Sequence, residues 1–367
     1  MAMKRICPDY YSAFRCKQGA CRRACCTLWP ITVSLREYYR LLGMECSGEM
    51  RRLIDMALAP LPRPTDEEYA CLSPRFDGEC RLRAPDGRCR IHMEMGESAL
   101  PEVCRLYPRG IRNDVFPSAA CAGSCEAVVE MLMKRPEPIK FVCADDDIQV
   151  SEGDKAGGEA ALNAAQGLLE SIYVLQDRAV SLPERIRRLG QKMGVGLCSE
   201  PFIEIKHCDR ARLISAALSL LAGASRAGGS VKEYGLKAQK RLFGEENNLF
   251  QPEEALSRLA ASSKQLNAAR QYMPFTLEHL IVNHMFFTRF GLNRLPGEDS
   301  WLSLSGIYIV LRLLCLGNPE CIESDAVLAD LFASAFRLMS HTDSERLIAL
   351  FIKQNGIERD VCALMQI

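Results

Sequence analysis

The sequence has no net charge. Lys plus Arg and Asp plus Glu both number 46 among its 367 residues, so no overall field draws the chain to nucleic acid, and we expect no nucleic-acid partner. Hydrophobic residues make up 48% and charged residues 25%, a composition typical of soluble globular proteins. The length is sufficient for two domains with substantial cores.

Targeting and membrane-spanning signals are also missing from the sequence. The first nine residues, Met1–Asp9, contain no apolar stretch of signal-peptide length. The apolar segment Leu213–Ala224 is flanked by arginines and is too short to cross about 30 Å of hydrocarbon. We therefore expect a cytoplasmic protein with no membrane partner.

Two widespread fingerprints are absent as well. Cys21-x3-Cys25 is followed by Leu28, and Cys121-x3-Cys125 is followed by Val128, so the C-x3-C-x2-C pattern of radical S-adenosylmethionine enzymes is not completed. The glycine fingerprint of Rossmann-type methyltransferases is missing too.

Cysteine, in contrast, is abundant and unevenly placed. Thirteen of the 18 cysteines lie between Cys7 and Cys143. A reducing cytoplasm argues against a disulfide framework and favours ligand or catalytic roles. Eight of them have spacings that can gather thiolates around zinc or an iron–sulfur cluster: Cys16, Cys21, Cys25, Cys26, Cys80, Cys89, Cys104 and Cys125.

The spacing does not choose among these eight. Adjacent side chains point apart, so Cys25 and Cys26 do not easily reach one metal, and one of them can face a second centre or the core. The five cysteines beyond residue 150 are interpreted as packing residues.

The predicted fold is mainly α. Residues 1–145 should form an irregular, Cys-rich metal-binding domain with short helices and a candidate small hairpin within Cys71–His92, where Asp77-Gly78 and Asp86-Gly87 indicate turns. Ser34 and Glu37 form a capping-box pattern for a helix that should end at Gly43.

The remainder, residues 156–367, is predicted to be all-helical. Apolar residues recur at helical spacing from Ala156–Gln176 onward, and Ser181–Glu184 forms a second capping-box pattern. A linker is predicted at about 136–158, where Pro, Gly, Ser and acidic residues replace the apolar periodicity.

Several motifs together resemble the flagellin lysine-N-methylase family. The resemblance extends over most of the chain, and its motifs are Phe14-Arg15-Cys16, Cys21, Cys25-Cys26-x2-Trp29, Asp86–His92, Gly96–Arg109, Ser124-Cys125-Glu126 and Leu277–Asn283. In the last motif, Glu278 and Asn283 match the family, whereas His279 and Leu280 depart from it. The N-terminal part is also similar to a broader group of zinc- or iron-chelating cysteine-cluster domains.

The resemblance implies methylation of lysine side chains on flagellin, with S-adenosylmethionine as the methyl donor and a [4Fe–4S] cluster in the protein. Zinc is the alternative metal, because the cysteine skeleton is shared with the chelating domains. A different class of function also fits the sequence: a non-enzymatic zinc- or iron–sulfur-binding scaffold or adaptor protein.

Methyl transfer to lysine sets requirements for the site. A protonated amine is not a nucleophile, so a proton acceptor or desolvation is needed, and a sulfonium donor favours aromatic faces or carboxylates. The catalytic candidates are Tyr107, Glu278 and Asn283, and the cofactor-binding candidates are Trp29 and Arg109. For Glu278 and Asn283, a buried structural hydrogen-bond network is the competing interpretation.

Overall fold

The computed structural model describes residues 3–27, 31–146, 158–199, 207–223, 229–244, 251–292 and 295–366. Seven strands occur among them: β1 (Met3–Pro8), β2 (Ile31–Val33), β3 (Leu58–Pro60), β4 (Ala70–Leu72), β5 (Arg109–Arg112), β6 (Ser118–Cys121) and β7 (Phe141–Asp146).

Helices dominate the described residues, which confirms the mainly α prediction. They are α1 (Leu35–Leu42), α2 (Gly48–Ala57), α3 (Arg90–Met95), α4 (Glu102–Leu106), α5 (Glu126–Met133), α6 (Glu159–Leu175), α7 (Leu182–Lys192), α8 (His207–Gly223), α9 (Gly229–Phe243), α10 (Pro252–Ala269), α11 (Met273–Thr288), α12 (Gly297–Gly317), α13 (Glu320–Glu323), α14 (Asp325–His341), α15 (Ser344–Gln354) and α16 (Val361–Leu364). Short 3₁₀ helices include Glu97–Ala99 and Gly196–Ser199.

The chain divides into two compact units. Residues 15–109 form the first, here called the cysteine unit, and residues 1–14 together with 110–367 form the second, here called the helical unit. This division differs from the predicted boundary near residue 150. Of the predicted linker, residues 147–157 lie outside the described residues.

The cysteine unit is built on a small antiparallel sheet in the order β2-β4-β3. Its apolar core includes Val33, Leu41, Ile54 and Ile91, all at most 1% exposed. The predicted capping box at the start of α1 is present, because the Ser34 hydroxyl accepts from the Glu37 N–H and Glu37 accepts from the Ser34 N–H.

The helical unit also contains a sheet, in the order β5-β6-β1-β7. Strand β1 runs parallel to β6 and antiparallel to β7, with Met3 opposite Asp146. Residues 110–146 therefore belong with the C-terminal helices rather than with the cysteines of residues 15–109. At α7 the predicted capping box is wrong: Ser181 is the N-cap, but its side chain makes no capping hydrogen bond.

Helix α12 lies in the core of the helical unit. It is long and apolar enough to cross a membrane by length and composition, yet 94% of the qualifying segment is buried inside the fold. Such burial is typical of the core helix of a soluble protein.

Candidate metal centre

Four of the eight predicted ligand cysteines lie together in the cysteine unit. They are Cys26, Cys80, Cys89 and Cys104, here called the thiol cluster, and all four pack in or against the apolar core of the unit. They are close enough that their charges influence one another: ionised Cys26 raises the pKa of each of the other three thiols. Three separate chain segments therefore converge on one site.

The first two thiols are joined through the backbone. The Cys80 N–H donates to the Cys26 carbonyl at 2.9 Å, and the next residue pair, Thr27 and Glu79, forms an isolated antiparallel bridge. This short pairing fixes the segment that ends in Cys26 against the start of the loop that carries Cys80.

The loop from Cys80 to Cys89 is closed by two tight turns and an isolated bridge between Arg83 and Cys89. Gly87 has a positive φ of 87°, which glycine adopts without strain. The loop also meets the earlier segment backbone to backbone, because a Cβ on Gly19 would lie 2.5 Å from the Gly87 carbonyl. The candidate hairpin is thus a pair of turns with single bridges.

Cys104 is positioned by α4, whose start is tied to α1. A Glu37 carboxylate oxygen accepts from the Glu102 N–H at 2.6 Å, and the Arg40 guanidinium donates to the carbonyls of Ala99 and Leu100 at 3.2 and 2.9 Å. The helix that Ser34 caps therefore also holds the segment that presents Cys104.

Cys26 is the most acidic thiol of the cluster. A hydrogen bond from the Cys25 thiol lowers the pKa of Cys26 to about 7; burial opposes this shift, and the positive charge of Arg83 supports it. Arg83 is itself held in an ion pair with Glu79. At neutral pH, Cys26 is therefore ionised to a thiolate more readily than an ordinary cysteine.

The other three thiols are held in their neutral form. Burial, together with the charges of Cys26 and Cys89, raises the pKa of Cys80 to about 11. Burial likewise raises the pKa values of Cys89 and Cys104. For Cys89, the backbone N–H groups of His92 and Ile91 at the start of α3 act in the opposite direction.

This donor set fits a thiophilic metal. The Cys26 charge raises the pKa values of the other three thiols, so the set gains most from a positive charge placed among them. Tetrahedral thiolate sets suit zinc or an iron–sulfur cluster. Among the described residues, however, no three His, Cys, Asp or Glu side chains already stand in a geometry that could hold a metal ion. Binding would require the thiols to close in from their present positions.

The remaining four cysteine candidates are placed differently. Cys16 and Cys25 are exposed and Cys21 is half-buried, all on the segment before β2. The Cys16 sulfur accepts from the Gln18 N–H at 3.3 Å. Cys125 is buried in the helical unit, where it is the N-cap residue of α5.

Two further candidates follow the thiol cluster along the chain. Tyr107 ends α4, three residues after Cys104, and Arg109 begins β5; both side chains are half-buried. Trp29, the other cofactor-binding candidate, lies outside the described residues.

Glu278 and Asn283 lie in the helical unit on α11 and are fully buried. The Glu278 carboxylate is paired with Arg178 at 2.9 Å and with Arg185 at 2.5 Å. Asn283 accepts from the Tyr10 hydroxyl and donates to the Cys121 carbonyl at 3.0 Å. Their polar atoms are engaged within the fold, which favours the structural-network interpretation over the catalytic one.

The sequence patterns did not identify the charged residues around Cys26 and Glu278. Beside Cys26 these residues are Arg83 and Glu79, and around Glu278 they are Arg178 and Arg185. They are distant in sequence from the residue they surround or lie within charged runs. The i, i+4 spacing of Glu79 and Arg83 was a usable signal for their pair, but no local pattern connects residue 178 or 185 with residue 278.

Comparison with known proteins agrees with the resemblance predicted from the motifs. The chain is 25% identical over 133 residues to proteins named lysine-N-methylase from Salmonella typhimurium and Salmonella choleraesuis, a match that covers 35% of this chain and 32% of each relative. It is 24% identical over 133 residues to the flagellar biosynthetic protein FliU of Salmonella muenchen, covering 77% of that protein.

The match therefore spans about a third of the length of the curated lysine-N-methylases. No protein-family model matches the chain, and no solved structure matches it.

Proposed function

We propose that this protein is a protein-lysine N-methyltransferase that uses S-adenosylmethionine to methylate flagellin. The observation that carries the proposal is the similarity to proteins named lysine-N-methylase, together with a relative named as a flagellar biosynthetic protein. Two motif matches add support: Cys16–Arg109 in the cysteine unit and Leu277–Asn283 in the helical unit. The broader chelating domains resemble only the N-terminal part, so they do not account for the second match.

A metal centre on the thiol cluster is the second part of the proposal. Cys26, Cys80, Cys89 and Cys104 would hold a [4Fe–4S] cluster, with zinc as the alternative, since both favour four thiolate ligands. A bound centre would supply the positive charge that stabilises four neighbouring thiolates and would cross-link three segments of the cysteine unit.

The methyl transfer makes defined demands on the protein. The lysine nitrogen forms a bond to the methyl carbon while the carbon–sulfur bond of the sulfonium breaks and its electrons pass to sulfur. The amine must first lose a proton, because an ammonium has no lone pair. Tyr107 is the favoured candidate for contacting the reacting groups, since it is half-buried rather than sealed in the core. Arg109 is the candidate for binding the carboxylate of the donor.

The direct test is to incubate the metal-loaded protein with flagellin and S-adenosylmethionine and to map flagellin by mass spectrometry. We expect additions of one methyl mass on surface lysines. Changing Cys104 to Ala should abolish them together with the bound metal. Tyr107→Phe should lower the rate while the metal content is retained.

The matched control is Cys71→Ala. Cys71 is a half-buried cysteine on β4 of the same unit but is not part of the thiol cluster, so activity and metal content should persist. If the metal-loaded protein neither binds S-adenosylmethionine nor modifies flagellin, the methylase proposal is wrong and the metal-binding scaffold is supported instead.

The identity of the metal requires a separate measurement. Anaerobically purified protein should contain iron and acid-labile sulfide in equal amounts if the centre is an iron–sulfur cluster, and zinc without sulfide if it is not. Loss of the bound metal in the Cys26→Ala, Cys80→Ala or Cys89→Ala variant, but not in Cys71→Ala, would assign the ligands.

A further inference from the structure

Two thiols of the helical unit, far apart in sequence, lie next to each other. Cys198 is on the 3₁₀ helix Gly196–Ser199 and Cys362 is on α16. Their side chains are within hydrogen-bonding distance. Cys198 is 1% exposed, whereas Cys362 is half-buried and open to small reagents. Neither residue belongs to the thiol cluster or to any motif used above.

The position of Cys198 is fixed by its surroundings. The Arg187 guanidinium donates to the Cys198 carbonyl at 2.9 Å, and the Gln191 side-chain amide donates to the same oxygen at 3.0 Å. Gly190 of α7 provides the space for the sulfur, because a Cβ at that position would collide with it. The short helix that carries Cys198 also packs on α7.

The charges around the pair distinguish its two members. A hydrogen bond from Cys198 lowers the pKa of Cys362, and the positive charge of Arg187 acts in the same direction. The pKa of Cys198 is raised by its hydrogen bond to Cys362 and by burial. Cys362 is therefore the accessible nucleophile, and Cys198 is the protonated thiol beside it.

We propose that Cys198 and Cys362 are a modification site: a dithiol that forms a reversible disulfide when the protein meets a low-molecular-weight disulfide oxidant. The Cys362 thiolate attacks one sulfur of the oxidant, forming a mixed disulfide and releasing the first small thiolate. Cys198 then attacks the Cys362 sulfur and releases the second. Two protein thiols are oxidised, the oxidant is reduced to two small thiols, and the two protein protons pass to these products.

The cross-link would join two elements that are far apart in the sequence. Both α7 and α16 pack on the core helix α12, so a disulfide between Cys198 and Cys362 would fasten α16 to the segment that follows α7. It would close a loop containing α8 to α15, and a long closed loop restricts the unfolded chain strongly. Oxidation should therefore stabilise the helical unit.

The test uses the full-length, metal-loaded protein and oxidised glutathione as the probe. After alkylation of remaining thiols and trypsin digestion, Cys198 lies in peptide 193–206 and Cys362 in peptide 360–367, each with a single cysteine. We expect these peptides to be joined, with loss of two hydrogens, and to separate on reduction. The apparent Tm should rise by about 5 °C or more on oxidation.

The variants separate the two steps. Cys198→Ser should stop the reaction at a stable glutathione adduct on Cys362, while Cys362→Ser should leave the buried Cys198 unmodified. Cys321→Ser, at a buried cysteine of α13, is the matched control and should leave the cross-link intact.

Two results would overturn the proposal. One is a glutathione adduct that persists on Cys362 of the wild-type protein, and the other is a disulfide from Cys362 to a cysteine other than Cys198. The same conclusion would follow if Cys362 stayed unreacted while the exposed Cys143 became modified.

Discussion

Glu278 is fully buried and lies in an ion-pair network with Arg178 and Arg185. Its carboxylate is 0% exposed and receives hydrogen bonds from both Arg178 and Arg185. The Arg178 guanidinium also lies over the Phe275 ring at 4.2 Å and donates to the Pro136 carbonyl at 2.6 Å. Glu278 thus joins α11 to Arg185 of α7, and Arg178 joins α11 to the segment before β7.

Changing Glu278 to Gln should destabilise the helical unit strongly. The variant leaves the buried Arg185, 3% exposed in its side chain, without its counter-charge. Removing one partner of a buried pair costs about 3–5 kcal/mol. Urea-induced unfolding followed by circular dichroism measures the change.

The control for Glu278 is Glu170→Gln. Glu170 pairs with Lys192 at 3.1 Å on the surface, where both side chains are more than 40% exposed, and exposed pairs contribute about 1 kcal/mol or less. A Glu278→Gln variant with unchanged stability but no methyl transfer would restore the catalytic interpretation of this residue.

His341, the last residue of α14, is a second position with a measurable electrostatic signature. Its Nε2 lies 2.8 Å from the Ser124 hydroxyl. Burial of the ring, with the neighbouring positive charge of Arg337, lowers the pKa of His341 to about 4. The folded protein therefore keeps the imidazole neutral at pH values where the unfolded chain protonates it.

The stability contributed by neutral His341 should be complete above about pH 6.5 and should be lost as the pH falls to about 4, because the unfolded state binds the proton first. We expect a loss on the order of 1 kcal/mol, reduced by solvent screening of this partly exposed side chain. Unfolding free energies of the wild type and His341→Gln should converge across this window. His92→Gln, in the cysteine unit, should retain the wild-type slope; a wild-type curve that is flat from pH 4 to 6.5 would contradict the prediction.

At the scale of elements, the loops of the cysteine unit depend on one close backbone contact. Gly19 has a φ of 98°, and a Cβ there would lie 2.5 Å from the Gly87 carbonyl oxygen. Gly19→Ala should therefore separate the two loops that carry Cys26 and Cys80, and should lower both the apparent Tm and the bound metal.

Gly96→Ala isolates the effect of that contact. Gly96 also has a positive φ, 83°, but a Cβ there meets nothing within 4 Å, so this variant bears only the backbone strain of about 1–3 kcal/mol. We expect Gly96→Ala to keep its metal. Equal metal loss in the two variants would show that strain alone, rather than the loop contact, controls the site.

The sequence predicted the helices well and the sheets poorly. A capping box located α1, and apolar periodicity predicted the helical character of residues 156–367, since these signals are carried by neighbouring residues. The sheet of β1, β5, β6 and β7 depends on pairing between residue 3 and residue 146, which no local pattern encodes.

The candidate site shows the same limit. Spacing identified the eight cysteines as a group but could not choose among them, because Cys26, Cys80, Cys89 and Cys104 meet through tertiary contacts. Nor could it detect that Cys198 and Cys362 are neighbours: as scattered cysteines they were interpreted as packing residues. The matching motif at α11 identified Glu278 and Asn283 as candidates, but their hydrogen-bond partners favour a structural role in the core.

At the scale of the whole molecule, the first 14 residues and residues 110–146 are part of the helical unit. Helix α5 packs on α11 and α14, and Asn283 of α11 donates to the Cys121 carbonyl of β6. A protein cut after β7 would therefore be cut within one packed unit, whereas the sequence-based boundary near residue 150 places the cut between two domains.

These alternatives give opposite results in one experiment. Residues 151–156 are replaced by the recognition sequence of a site-specific protease, and the purified protein is cleaved. Because α5 and the sheet bury their apolar faces against later helices, we expect the two fragments to co-elute in size-exclusion chromatography and to separate only in denaturant, which also verifies complete cleavage. The apparent Tm should fall by a few degrees at most. Two fragments that separate in native buffer, each with its own cooperative unfolding transition, would instead support a domain boundary near residue 150.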